Sequence, residues 1–461
     1  MASRSLKSLS DPWSGDGWKA AVAVVVAAGC VVVPLYHSTT QLDAFALPKA
    51  QAMWVFVVAA AVAAVLGATA KKDPLRVSVD WVTWITLILA ALIVVSWVLS
   101  VDRAASLRGE RLQYQGLLSM LSYLALFVLA RSVFTSPARY RQLCWAVTVG
   151  AVAVAGVALA ERLGLDPRPF PPIGRVYSTI GQPNWLAAYL VIVAPVALAL
   201  AWSHTSTATR RALVGVTGLL IAGVGWTLSR AGYIGLAAAA LVLIGLYWRR
   251  TGRWPIAEIA AVVVVSVALL ALIPENNAGD SAVSTADGGL STPGTSTVVA
   301  GLHRRSDHIS LWRVGLAIIA DHPIIGTGPD TYAIMFPDYR DKVLDTDTAR
   351  HLSKFRPESP HNVYIATASG SGLFALAALG LLILLIARST VAESLHGDSP
   401  IGWPLSAGVA AVLAGHLVTE MFMTQETAGS LVFWVIAGAA VASSNSQGSE
   451  TADLRGNNLA T

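Results

Sequence analysis

Residues 363–387 read VYIATASGSGLFALAALGLLILLIA, and none of these side chains is charged. A helix needs about 20 apolar residues to cross the hydrocarbon core of a bilayer, so this stretch alone predicts a membrane span. Hydrophobic residues make up 55% of the chain and charged residues 13%, against roughly 25% charged residues in soluble domains. With a mean hydropathy of +0.60, the composition predicts an integral membrane protein without a soluble domain.

Further stretches of similar length and apolar character occur along the chain. All are expected to be helices, because a segment in hydrocarbon must satisfy its own backbone hydrogen bonds. The sequence therefore predicts an all-α fold with a single polytopic transmembrane domain over residues 1–461. We predict about twelve spans: 18–36, 52–70, 80–100, 115–134, 142–161, 184–203, 211–228, 231–248, 255–274, 363–387, 401–419 and 428–443.

Lysine and arginine are distributed unevenly between the two sets of loops. Of the 32 such residues, the loops on the side of the termini hold sixteen, the short loops opposite hold eight, and one long segment opposite holds the rest. Cytoplasmic loops carry the excess of positive charge, so both termini are predicted to be cytoplasmic. Seven of the eight short outer-loop charges are arginine, whose planar fork binds phosphate bidentately. This bias predicts a phosphate or pyrophosphate ligand outside, with lipid headgroups as the alternative.

The long outer segment, residues 275–361, connects the ninth and tenth predicted spans. Its part from 278 to 296 is rich in Ala, Gly, Ser and Thr without apolar periodicity, which predicts a flexible excursion. The polar residues 444–461 likewise predict a disordered cytoplasmic tail. Between these regions, intervals of three and four predict a short amphipathic helix along the membrane interface, with an apolar stripe of Ile309, Trp312, Leu316 and Ile319.

Two polar dipeptides lie at the predicted outer ends of apolar runs. His361-Asn362 directly precedes the 363–387 run, and an imidazole titrates near neutral pH, so His361 is a candidate general base. Ser229-Arg230 is the break between two apolar stretches, and a guanidinium there is permanently charged. The alternatives are an ordinary helix-start residue for His361 and a simple turn charge for Arg230.

Four groups of motifs follow one another between about residues 95 and 390. They are Ser100–Gly116, STIGQPNWLA at 178–187, TLSRAG at 227–232, and the outer-segment set from Trp312 through DHPIIGTG at 321–328 to His361-Asn362. In their order and spacing they resemble the O-antigen ligase and O-antigen polymerase superfamily of polytopic membrane glycosyltransferases. The resemblance implies transfer of a saccharide from undecaprenyl pyrophosphate to an acceptor hydroxyl on the outer leaflet. It also implies an essential histidine and arginine, which correspond to His361 and Arg230.

The chain departs from the pattern of these ligases in three places, of which Ile234, where the ligases tend to have leucine four residues after the arginine, is a minor one. The pattern His-Asn, nine residues, Gly, two residues, Gly is met at His361-Asn362 and Gly372, but its last position is Ala375. Where many members have an arginine, four residues before the tryptophan of the amphipathic helix, this chain has His308. Arg304 and Arg305 are nearby candidates for that anion contact.

Glycosyl transfer from a lipid pyrophosphate needs an activated hydroxyl and stabilisation of the departing negative charge. We predict His361 as the base and Arg230 as the main pyrophosphate contact. Arg111 and Arg175 are predicted as further anion ligands, with headgroup contacts as their alternative. The remaining predicted substrate contacts are Arg305, Asn362 and Asn184, the last of which has a helix cap as its alternative.

Metal or other cofactor chemistry is not predicted. Asp345-Thr346-Asp347 resembles the Asp-X-Asp element of nucleotide-sugar transferases, which binds a divalent metal, but it faces outward, where nucleotide sugars are absent. We interpret it as a solvated acidic turn. His416 and Glu420 share one helix face and are interpreted as a polar pair that tightens the bundle, rather than a proton relay or metal site.

The predicted function is a metal-independent glycan ligase or polymerase in the bacterial plasma membrane, and the sequence does not separate these two activities. Its predicted partners are a lipid-linked oligosaccharide donor, a glycan or glycolipid acceptor, and membrane lipids. The alternative is a transporter for bicarbonate or another small solute, because some members of the superfamily are linked to bicarbonate uptake. Polar residues gathered at one face rather than at the midplane argue against transport. The net charge of +5 fits a membrane surface, and nothing indicates nucleic acid.

Overall fold

The computed structural model describes residues 17–40, 43–71, 79–111, 113–168, 175–272, 296–354, 357–396 and 401–457. Every regular element within these residues is helical, as the sequence predicts. The α-helices are α1 (Gly17–Leu35), α2 (Ala46–Lys71), α3 (Trp81–Val98), α4 (Arg103–Arg108), α5 (Leu117–Val133), α6 (Pro137–Arg162), α7 (Pro183–Ser203), α8 (Thr207–Trp226), α9 (Arg230–Thr251), α10 (Ile256–Leu272), α11 (Ser296–Asp321), α12 (Tyr332–Val343), α13 (Thr346–Ser353), α14 (Val363–His396), α15 (Trp403–Glu420) and α16 (Thr427–Asn457), with one 3₁₀ turn at Ser178–Ile180 before α7.

Among the described helices, eight are long and apolar enough to cross a membrane: α1, α2, α3, α6, α7, α8, α9 and α14. Three shorter apolar helices accompany them, Leu117–Val133, Ile256–Ala271 and Thr427–Ala442. Each of the twelve predicted spans coincides with a helix, and the helix not yet named here is α15, which corresponds to the span predicted at 401–419. The all-helical polytopic membrane class is thus confirmed, while the number of about twelve crossings stays a prediction.

Helix α7 lies at the centre of the bundle, and most of its residues are buried. It packs against α6, α8, α9 and α15. Small residues allow these helices to approach closely: Gly408 packs against Ala199 of α7, and Gly415 lies between α7 and Ala239 of α9. Such close contacts drive helix association in lipid, where burial of apolar surface against another helix contributes little.

The outer segment forms a small helical layer on one end of the bundle. One face of α11 is buried against α12 and α13 through Leu311, Val314 and Ile318. The predicted stripe is a different face, since Ile309 and Leu316 are 51% and 56% exposed. Helix α11 is apolar on two sides, and the periodicity of the sequence identified the exposed one. The helix also begins at Ser296, earlier than the sequence predicts.

Two predictions on polar regions have different outcomes. The flexible excursion at 278–296 lies outside the described residues, apart from the first residue of α11. Helix α16 continues to Asn457, although the polar composition of 444–461 predicts a disordered tail. No proline interrupts residues 444–457, so backbone hydrogen bonding can extend the helix beyond its apolar part.

Candidate active site

The predicted base and the predicted pyrophosphate ligand lie at the same end of the bundle. The hydroxyl of Tyr364, one turn after His361, donates to a backbone carbonyl in the last turn of α15 at 2.8 Å. Gly235, one turn after Arg230, packs so closely against Thr419 in that same turn that a β-carbon would overlap with its hydroxyl. We call this end of the bundle the His361 end.

His361 lies in a strained turn directly before α14. Its φ is +49°, a conformation that costs a non-glycine residue about 1 kcal/mol or more, and its N–H donates to the Ser359 hydroxyl at 3.1 Å. Its ring lies 5.3 Å from that of His308, centroid to centroid. Burial and the neighbouring charge of His308 lower the pKa of His361 to about 4. The imidazole is therefore neutral near pH 7 and available as a proton acceptor.

Asn362 caps α14. Its Oδ1 accepts hydrogen bonds from the N–H groups of Tyr364 and Ile365, at 3.0 and 3.1 Å. The helix-start role considered for His361 therefore belongs to Asn362, which holds the turn that presents His361. An orienting role of Asn362 toward a sugar would have to use its amide NH₂ group.

A polar cavity lies beside Asn362 and continues into an apolar one. Four residues line both cavities, Met120, Val363, Thr367 and Gln425. The other polar groups of the first cavity include Gln113, Gln115, Asp330, Ser359, Asn362 and Thr424. The apolar cavity is lined mainly by side chains of α3, α5, α14, α15 and α16. The two cavities are neighbours, and Ser359 and Asn362, on either side of His361 in the sequence, line the polar one.

Asp330 fastens the outer segment to the loop that carries Arg111. Its carboxylate accepts from the backbone N–H groups of Glu110 at 2.8 Å and Gln115 at 3.1 Å. Burial raises the pKa of this carboxyl group to about 7. The sequence reasoning missed Asp330, although its place directly after Gly328-Pro329 in a turn was visible. Arg111 itself is exposed, and no described contact assigns it to the site.

The sequence GTG at 326–328 pairs with a break in α14. The N–H groups of Thr327 and Gly328 donate to carbonyls of α14 at 2.9 and 2.8 Å. Gly372, at φ +84°, interrupts the helix, and a β-carbon there would overlap with the Ile324 carbonyl. The backbone conformation thus explains why the first glycine of the ligase pattern, Gly372, is a glycine. Ala375 is fully buried, so its methyl group is accommodated in place of the last glycine.

Arg175 and Asn184 contact each other at the break between α8 and α9. The guanidinium donates to the Thr227 carbonyl at 2.8 Å and to Asn184 Oδ1 at 2.9 Å. The helix-cap alternative for Asn184 is wrong, because Gln182 caps α7 by accepting from the N–H of Trp185. Two predicted substrate contacts, Arg175 and Asn184, are therefore bonded to each other. Arg175 also binds the backbone of Thr227, which is three residues before Arg230 in the sequence.

Arg230 is the first residue of α9 and its side chain is exposed. Ser229 caps the helix by accepting from the Gly232 N–H at 3.3 Å, after a sharp turn in which Leu228 has a φ of +51°. A cation at a helix N-terminus opposes the helix dipole. An anion held by Arg230 would be favoured by the guanidinium and the helix terminus together.

Not all charges of the predicted outer loops are available to a ligand. Arg168 donates to Asp166 at 2.7 Å and Glu161 at 3.3 Å. Lys49 is buried and donates to the carbonyls of Tyr36 and Thr179 at 2.7 and 2.6 Å. These two cations hold loops together. Arg305 lies in the part of α11 whose side chains fall outside the described residues.

The acidic turn at Asp345-Thr346-Asp347 is exposed to solvent, as we interpret it from the sequence. Asp345 caps α13 by accepting from the Thr348 N–H at 3.0 Å, and Asp347 pairs with Arg350 at 3.2 Å on the exposed surface. His416 and Glu420 approach to 3.7 Å and line the apolar cavity. No group of three or more potential metal ligands occurs among the residues that the structure describes.

The bundle and its layer of outer helices define a polytopic membrane protein with one polar, partly strained site at the His361 end. A family model described as O-antigen ligase matches residues 215–380, which contain Arg230, His308 and His361. The match covers about a third of the chain, and it confirms the resemblance to the O-antigen ligase and polymerase superfamily over these residues. No curated protein matches the chain.

Proposed function

We propose that the protein is a glycan ligase or polymerase that transfers a saccharide from undecaprenyl pyrophosphate to an acceptor hydroxyl at the outer face of the bacterial plasma membrane. The observation that carries the proposal is the strained turn that presents a half-buried His361 beside a polar cavity, with the exposed Arg230 at the same end of the bundle. Both termini are then cytoplasmic, and the His361 end faces outward.

His361 accepts the proton of the acceptor hydroxyl. The hydroxyl oxygen forms the new bond to the anomeric carbon, and the pyrophosphate leaves with the electrons of the broken C–O bond. Arg230 and Arg175 offset the charge on the leaving group, so we assign no step to a metal ion. A positioned base contributes about 10²–10⁴-fold to such reactions.

The donor of this reaction is an amphiphile, and an apolar and a polar environment adjoin each other beside Asn362. A polyprenyl chain is apolar along its whole length, whereas its pyrophosphate and saccharide are polar. The apolar cavity within the bundle and the polar cavity beside Asn362 share four lining residues, and their volumes are about 80 and 30 Å³. Both volumes are well below the roughly 300 Å³ of small-ligand pockets, so the two cavities mark where an apolar and a polar environment meet and do not enclose the donor.

The experiment is transfer by purified protein from a labelled undecaprenyl-pyrophosphate oligosaccharide to envelope lipids and polysaccharides, with and without EDTA. We expect transfer by the wild type, a loss of at least about 100-fold in His361→Ala, and no effect of EDTA. His351→Ala is the matched control, because His351 is exposed on α13, and it should transfer normally. Normal transfer by His361→Ala, or loss with EDTA and recovery with magnesium, would contradict the mechanism. Solute uptake without transfer would favour a transporter.

A further inference from the structure

His308 and His361 come together because two distant helices meet at the His361 end. His308 lies on α11 and His361 directly precedes α14, and their ring planes make an angle of 59° at a centroid distance of 5.3 Å. At this centroid distance the two rings are direct neighbours, with no other residue needed to bridge them. Side-chain rotation can bring a nitrogen of one imidazole toward a nitrogen of the other.

The position of His308 is supported by the packing of α11. Gly315 sits so closely on Ile365 that a β-carbon would overlap with its side chain. Trp312, one turn after His308, lies against Phe422 with ring centroids 6.2 Å apart. These contacts anchor α11 on the start of α14 and on the loop after α15, so the histidine pair belongs to a packed interface.

We propose that His308 and His361 form a proton relay, in which His308 receives the proton that His361 removes from the acceptor hydroxyl. The proposal rests on the proposed function. His361 accepts the hydroxyl proton on one ring nitrogen and passes the proton of its other ring nitrogen to His308. His308 then returns to its neutral form by releasing a proton to water or to the released pyrophosphate.

Burial of His361 is the reason why a relay is useful. An imidazolium without a counter-charge is disfavoured in a buried setting, so a base that kept the proton would be stabilised poorly. Burial first, and the charge of His308 second, lower the pKa of His361. Other charged side chains on the surrounding elements are Glu358, Asp330, Arg313 and Glu420. An arginine in place of His308 could bind an anion but could not accept a proton.

The test compares His308→Asn and His308→Arg with the wild type in the transfer assay. We expect kcat to fall about 10–100-fold in both variants, with little change in the KM of the donor. Imidazole added to the buffer should restore part of the rate in His308→Asn, where the side chain is smaller, and not in His308→Arg. His351→Asn, an exchange of the same residue types on the exposed face of α13, should leave kcat and its pH profile unchanged.

A second readout does not need transfer. In detergent-solubilised protein labelled at histidine, NMR titration should give His361 a pKa about one unit higher in His308→Asn and no higher than wild type in His308→Arg. A normal kcat in His308→Asn would overturn the relay. The relay would also be overturned if kcat fell, imidazole did not restore it, and His361 kept the pKa that it has in the wild type. Failure of the wild type to transfer would instead contradict the proposed function, while the titration would still measure the coupling.

Discussion

The indole N–H of Trp185 donates to the hydroxyl of Thr424 at 2.8 Å. Trp185 follows Asn184, which is held by Arg175, and Thr424 lines the polar cavity together with Asn362. This hydrogen bond therefore links the arginine group at the break between α8 and α9 to the cavity beside His361. The two halves of the candidate site are parts of one packed structure.

Removing the Trp185–Thr424 hydrogen bond should weaken transfer without unfolding the protein. One neutral hydrogen bond contributes about 1 kcal/mol, so Trp185→Phe and Thr424→Val should each lower kcat/KM for the donor about fivefold. The double variant should have about the same kcat/KM as the less active of the two single variants, because both changes break the same interaction. Trp54→Phe is the control, since it removes an indole donor to Ser119 elsewhere in the bundle. Additive losses would mean that the two side chains act separately.

Arg230→Lys should impair transfer although it keeps the positive charge. An ammonium group cannot bind pyrophosphate through two parallel hydrogen bonds, so we expect about a tenfold higher KM or Kd for the donor. Arg103→Lys makes the same change at an exposed arginine that begins α4 and should have no effect. The measurement is donor binding and transfer with labelled undecaprenyl-pyrophosphate oligosaccharide. Equal donor binding by Arg230→Lys and wild type would remove Arg230 from the site.

Asp330 should make the stability of the protein depend on pH. Its pKa rises from 3.8 to about 7 on folding, so the folded state holds this proton more tightly than the unfolded state. Its contribution is fully present below pH 4 and is lost as the pH rises to 7, by on the order of 4 kcal/mol. We expect a higher Tm at pH 5 than at pH 8, and a smaller difference in Asp330→Asn.

Burial also raises the pKa of Glu426 to about 7. This carboxyl group should therefore account for part of the pH dependence of stability that remains in Asp330→Asn. The double variant Asp330→Asn/Glu426→Gln tests this by thermal unfolding in detergent at both pH values. A Tm difference in Asp330→Asn as large as that of the wild type would show that the Asp330 carboxyl group does not titrate in this range.

Gly372→Ala should destabilise the outer segment. Alanine at φ +84° is strained, and its methyl group would overlap with the Ile324 carbonyl, so we expect a loss of at least about 2 kcal/mol and a lower Tm. Gly380→Ala is the matched control in the same helix, where a β-carbon meets nothing within 4 Å. It should leave Tm unchanged or raise it slightly. Equal Tm values for the two variants would contradict the role of the break in α14.

The membrane class and the positions of the helices were predictable because apolar runs and polar breaks are local properties of the chain. His361 and Arg230 could be selected for the same reason, since each stands at the end of an apolar run. Local pattern also misled: the apolar stripe through Ile309 and Leu316 marks an exposed face of α11, because periodicity does not distinguish contact with lipid from contact with protein.

The sequence by itself determined an all-helical membrane protein with its polar chemistry in the connections, because hydrophobic composition selects the solvent and the spans. Only the tertiary structure decided which residues distant in sequence contact each other. It also decided which charged side chains form ion pairs within the protein, as Arg168 does with Glu161 and Asp166. Asp330 binds the N–H of Glu110 across 220 residues, and Trp185 binds Thr424 across 239. Such contacts depend on how helices pack in three dimensions, and no local spacing encodes them.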